Sequence, residues 1–67
     1  MTINIELPNG LEAQKLIDLA TPTVKIAEQL DQDGYRVIII DSYDYPSMDK
    51  VAVEVLTIIK NYINTKP

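Results

Sequence analysis

Val37-Ile38-Ile39-Ile40 is the longest uninterrupted apolar stretch in the chain, four β-branched residues entered through Gly34 and left through Asp41. Side chains branched at Cβ are stiff and fit a pleated surface, so Tyr35–Asp41 is expected to form a strand. Because its apolar run does not alternate, the strand is expected to be covered on both faces, as in a parallel sheet flanked by helices. That demand is hard to meet with 67 residues. A chain of this size buries only roughly 60% of the surface it exposes when unfolded. Small folds are often rescued by disulfides, a structural metal or association with another chain. There is no cysteine and no histidine, which removes disulfides and the thiolate and imidazole metal sites. Association with another chain is the expected rescue.

Thr2-Ile3-Asn4-Ile5-Glu6-Leu7 alternates polar and apolar residues, the period-two signature of a half-buried strand. Pro8-Asn9-Gly10 ends it. Asn9, followed three residues later by Glu12, reads as a capping box that opens a helix over about Leu11 to Ala20. Thr21-Pro22 interrupts that helix, with one continuous kinked helix as the competing reading. Thr21 as N-cap and Pro22 as first residue then predict a second helix, with Val24, Ala27 and Leu30 on its buried side and Gly34 stopping it. After the apolar strand and the loop Ser42-Tyr43-Asp44-Tyr45-Pro46, Ser47 is read as the N-cap of a third helix running to about Asn64. Met48, Val51, Ala52, Val55, Leu56, Ile58, Ile59, Tyr62 and Ile63 share one broad side of it, and Val53 stands alone on the other. Thr65-Lys66-Pro67 is read as a short polar tail.

These elements predict an α/β fold in a single domain, residues 1–67. It is a small β-α-α-β-α unit with two parallel strands, joined by a right-handed crossover, and three helices. Such a sheet leaves its apolar strand with one neighbour, so a second chain is expected to complete it. Pairing of two such strands about a two-fold axis, giving a homodimer, is the simplest arrangement.

Ten carboxylates against six basic side chains give a net charge of −4. That field repels a polyphosphate backbone, so direct nucleic-acid binding is not expected. Neither is a membrane span, since the longest apolar run falls far short of the ~20 residues required. The first residues lack the basic and apolar blocks of a secretory signal, and a cytoplasmic location is the resulting expectation. Without histidine or cysteine there is no imidazole base or thiol nucleophile. The apolar strand ending in aspartate resembles the phosphatase and phosphotransferase pattern, but that pattern wants a second acid two residues on, where this chain has Tyr43. No catalytic residue and no cofactor is expected.

Asp41, Tyr43, Asp44, Tyr45 and Asp49 concentrate three carboxylates and two phenols beyond the end of the strand, where open parallel α/β sheets bind ligands. Tyrosine supplies large, rigid, amphipathic contacts, and acidic neighbours steer basic partners. The expected function is therefore a non-enzymatic protein–protein interaction module, an inhibitor, adaptor or regulatory subunit. It would bind another protein through a strand edge or through this acidic tyrosine loop. The alternative is a small-ligand or divalent-metal module using the same carboxylates, and the third reading is an acidic mimic of nucleic acid.

Overall fold

In the computed structural model, which describes residues 1–65, the chain runs β1 (Thr2–Glu6), α1 (Ala13–Ile17), β2 (Val24–Leu30), β3 (Arg36–Ser42) and α2 (Tyr45–Thr65). Lys66 and Pro67 of the expected polar tail lie outside the described residues.

The predicted β-α-α-β-α order with parallel strands is overturned. Three strands form one antiparallel sheet in the order β1-β3-β2, and there are two helices rather than three among the described residues. The segment read as a second helix is β2. Val24 and Ile26 are buried and alternate with exposed Lys25 and Ala27, a period-two pattern. The turn that follows fixes the hairpin. Gly34 N–H donates to the Asp31 carbonyl at 3.1 Å, and Asp31 N–H donates to the Tyr35 carbonyl at 2.9 Å. The Asp31 carboxylate accepts the N–H groups of Asp33 and Tyr35 at 2.9 and 2.8 Å. Gly34 has φ +85°, the left-handed residue that a three-residue hairpin loop places before its returning strand. Gly34 therefore serves a hairpin, not the end of a helix.

With β2 in place, β3 has a neighbour on each side within the chain. The expected completion of the sheet by a second copy of this strand is overturned for the same reason: no edge of β3 is free. Asp41 pairs with Thr2 on one side and with Lys25 on the other. Leu7 N–H donates to the Arg36 carbonyl and Ser42 N–H to the Met1 carbonyl. Residues bonded in this way alternate with residues whose main-chain groups point away. The N–H and C=O groups of Thr2, Asn4 and Glu6 thus face away from β3, along an open edge.

The helices cover only one face of the sheet. Ile38 and Ile40 are wholly buried on that face together with Val24 and Ile26, against Met48, Val51, Val55 and Ile59 of α2 and Leu16 of α1. Val37 and Ile39 point to the other face, where they are half-buried by their neighbours in the sheet and stand outside the core. Cover on both faces, expected from the unbroken apolar run, is not present among the described residues.

The first helix is shorter than its sequence predicts. Glu12 holds the N-cap position with no side-chain hydrogen bond, and Asn9 instead lies in a turn whose carbonyl accepts the Tyr62 hydroxyl at 2.8 Å. α2 begins at Tyr45, and Asp44, not Ser47, holds the N-cap, since its carbonyl accepts the Met48 N–H at 3.0 Å. Among the described residues no helix is long and apolar enough to cross a membrane.

Candidate partner-binding surface

Ser42 organises the junction between β3 and α2. Its side chain is the one buried polar group in the described core, 4% exposed. The hydroxyl lies 2.9 Å from the Thr23 carbonyl and 3.0 Å from the Asp44 carbonyl, to either of which it donates, and it accepts the Asp44 N–H at 3.0 Å. The Met1 ammonium donates to the Ser42 carbonyl at 3.0 Å. Asp44 is fixed in turn by the Ser47 hydroxyl, which donates to its carboxylate at 2.7 Å. The backbone is therefore tied down on both sides of Tyr43.

Tyr43 itself is 96% exposed, its chain neighbour Tyr45 60%, and Met1, whose main chain pairs with Ser42, 64%. An exposed aromatic ring on a fixed backbone gives up little conformational freedom when it is buried by a partner. The Asp41 carboxylate accepts a long hydrogen bond from the Thr2 hydroxyl, 3.3 Å. Asp49 lies one helical turn beyond Tyr45, on the same side of α2.

Asp41, Tyr43, Asp44 and Tyr45 are thus brought to one end of the molecule. Their roles differ from the expected carboxylate cluster. Asp44 caps α2, whereas Asp41 lies on the uncovered face of the sheet and Asp49 in the helical layer. Among the described residues no three carboxylates come together in a group that could hold a metal ion. The argument from ligand sites at the ends of parallel strands also falls away, because the sheet is antiparallel.

Two features were missed by sequence reasoning. One is Met1, brought to Ser42 by pairing across the sheet, which no local signal reveals. The other is a cleft of about 380 Å³ between the α1–β2 loop and the first turns of α2, lined by Leu19, Thr21, Pro22, Thr23, Ser47, Lys50, Val51 and Glu54. Thr21-Pro22-Thr23 carried a loop signal that the helical reading of the following segment masked. The Thr21 and Thr23 hydroxyls lie 3.3 Å apart and bond to each other, and the Ser47 hydroxyl is engaged with Asp44.

Comparison of the chain with protein-family models, with curated proteins and with solved structures finds no match in any of the three.

Proposed function

We propose that this chain is a non-enzymatic protein-binding module that seats Tyr43 in an apolar pocket of a partner protein. Tyr45 extends the apolar contact, and Asp41 faces basic side chains around the pocket. The single observation supporting this reading is the near-complete exposure of Tyr43 between two residues held by buried or capping hydrogen bonds. Interface energy concentrates in a few aromatic anchors of this kind, and acidic groups at the rim accelerate encounter with a basic surface.

The experiment places a photo-crosslinking amino acid at position 43 in the native host, identifies the captured protein and measures its affinity for purified variants. Tyr43→Ala is expected to weaken binding at least tenfold, with Asp41→Asn mainly slowing association. A captured partner that binds Tyr43→Ala and Tyr45→Ala as tightly as the wild type refutes the proposal. The cleft beside Lys50 and Glu54 favours a second reading, a small polar ligand, because its volume falls within the range of ligand pockets. Thermal stabilisation by a metabolite panel, lost in Lys50→Ala, would support it.

A further inference from the structure

On α2, Asp49, Val53, Leu56 and Lys60 fall within about 60° of arc at 100° per residue. All four are exposed, Val53 at 57% and Leu56 at 52%. The opposite flank of α2, carrying Ser47, Lys50 and Glu54, faces the α1–β2 loop across the cleft. The strand order β1-β3-β2 therefore directs the Val53–Leu56 flank to the β1 side of the molecule. That is also the side with an open edge. Edge strands are commonly guarded by lysine, proline, a bulge or an overlying helix. β1 contains no lysine or proline and pairs with β3 in unbroken register, while α1 lies beside β2 at the other edge. Two unguarded features, a strand edge and an apolar helical flank, thus share one side.

We propose that this side is the interface between two copies of the chain, with β1 pairing antiparallel to β1 of the second copy about a two-fold axis at Asn4. This goes beyond the binding surface at Tyr43, which lies at the end of the sheet. The register is self-complementary. Asn4 pairs with itself and Thr2 with Glu6 of the second copy, so that the outward main-chain groups form about six hydrogen bonds. On the helical face half-buried Ile3 and Ile5 meet Ile5 and Ile3 of the second copy. No like charges stand opposite each other, and Pro8, which lacks an N–H, limits the ladder at its far end.

The helical layer fits the same axis. Asn4 pairs with Ile39, the midpoint of β3. α2 runs back over the sheet from Tyr45, next to the end of β3, to Tyr62, bonded at Asn9 beyond β1. Its middle, between Val53 and Leu56, therefore lies above that midpoint. A two-fold axis there sets Leu56 against Val53, and Lys60 against Asp49, of the second copy, an arrangement complementary in both apolarity and charge. Three strand spacings, ~14 Å, separate the two copies of β3, and α2 lies over β3 and β2 rather than over β1, so the two helices stand further apart than the ~8–10 Å of packed helices and meet only through the ends of their side chains. The buried area is on the order of 1,000 Å² in total, the low end for a specific interface. An interface of that size suits a reversible dimer.

Sedimentation velocity of the full chain from 5 µM to 1 mM, with amide hydrogen exchange at both ends of that range, tests the proposal. The wild type is expected to shift from monomer to dimer, and the exchange of Thr2, Asn4 and Glu6 to slow with concentration while that of Ile26, Glu28 and Leu30 does not. Asn4→Pro removes an N–H that the chain itself does not use and is tolerated on an edge strand. Leu56→Asp changes an exposed position. Asn4→Pro is expected to weaken self-association at least tenfold, and Leu56→Asp to weaken it by a smaller factor. Asn4→Lys, which sets two lysines face to face on the axis, replaces Asn4→Pro if that variant melts early. A wild type monomeric at 1 mM, dimerisation unchanged in Asn4→Pro or its substitute, or protection appearing on β2 instead of β1 would each overturn the pairing.

Discussion

Replacing Ser42 by alanine tests whether the backbone beside Tyr43 is held as tightly as its hydrogen bonds imply. The substitution removes one hydroxyl that donates to a main-chain carbonyl and accepts the Asp44 N–H. The methyl group fits the space vacated. Each intramolecular hydrogen bond contributes a net ~1 kcal/mol, so Ser42→Ala is expected to cost about 2 kcal/mol. A chain of this size has a total stability of roughly 3–10 kcal/mol, and a loss of 2 kcal/mol lowers the melting temperature by about 8–16 °C. Urea unfolding followed by circular dichroism is the assay, with the midpoint expected to fall at unchanged slope. Ser47→Ala is the internal comparison. It removes a single bond, to the half-buried Asp44 carboxylate, which water can solvate in its place, and is expected to cost about 1 kcal/mol. A Ser42→Ala protein within ~0.5 kcal/mol of wild type would refute the reasoning, since the junction would then be held by something other than this hydroxyl.

The two glycines are expected to respond differently. At Gly34 an added Cβ meets open space, so Gly34→Ala costs only the left-handed backbone term, about 1–2 kcal/mol; at Gly10, also with positive φ, the Cβ would fall on the Tyr62 hydroxyl, so Gly10→Ala costs more. Urea midpoints of the two variants check the ranking. Ile39→Thr on the uncovered face should change stability by under ~1 kcal/mol, whereas Ile40→Thr places an unpaired hydroxyl in the core and should cost roughly 3 kcal/mol; thermal melts separate the two outcomes. The Arg36–Glu28 pair, 2.7 Å apart with both side chains about a third exposed, is expected to show a coupling of under ~1 kcal/mol in a double-mutant cycle, diminished in high salt.

The sequence made β1, β3 and most of α2 legible because each carries one dominant period or residue type. Ile3, Ile5 and Leu7 alternate, Val37 to Ile40 are all β-branched, and Met48 to Ile59 repeat at helical spacing. β2 was not legible because Val24, Ala27 and Leu30 fit a helical stripe while only Val24 and Ile26 mark the strand. Ala27, Glu28, Gln29 and Leu30 are intrinsically good helix formers. What decides the segment is non-local, the need of β3 for a second partner, and such demands override propensity. Asp31-Gln32-Asp33-Gly34 was the available local signal, a hairpin loop read as a helix end. The unbroken apolar run of β3 does require two neighbouring strands, and both come from this chain and not from another. At the candidate surface the strand-to-helix turn follows from residue type, whereas the exposure of Tyr43 and Tyr45 does not, because a tyrosine among turn formers can equally cap the edge of a small core. The separation of Asp41 from Asp49 into different layers, and the arrival of Met1, depend on pairing between residues about forty positions apart.

The register of the sheet also sets an order of assembly. β2 and β3 close through a tight turn, whereas β1 must find Asp41 from Thr2, 39 residues away. Closing the longer loop costs about 2 kcal/mol more conformational entropy than closing a loop of a few residues. The hairpin and the helix that packs on it are therefore expected to nucleate first, with β1 docking late and fraying early. The most slowly acquired strand is then the one whose outer edge is unguarded, so that in a crowded solution of newly made chains an incoming β1 can meet the β3 of a neighbour as well as its own. Strand exchange between chains is the kinetic hazard this topology carries, and it grows with concentration, not with loss of native stability.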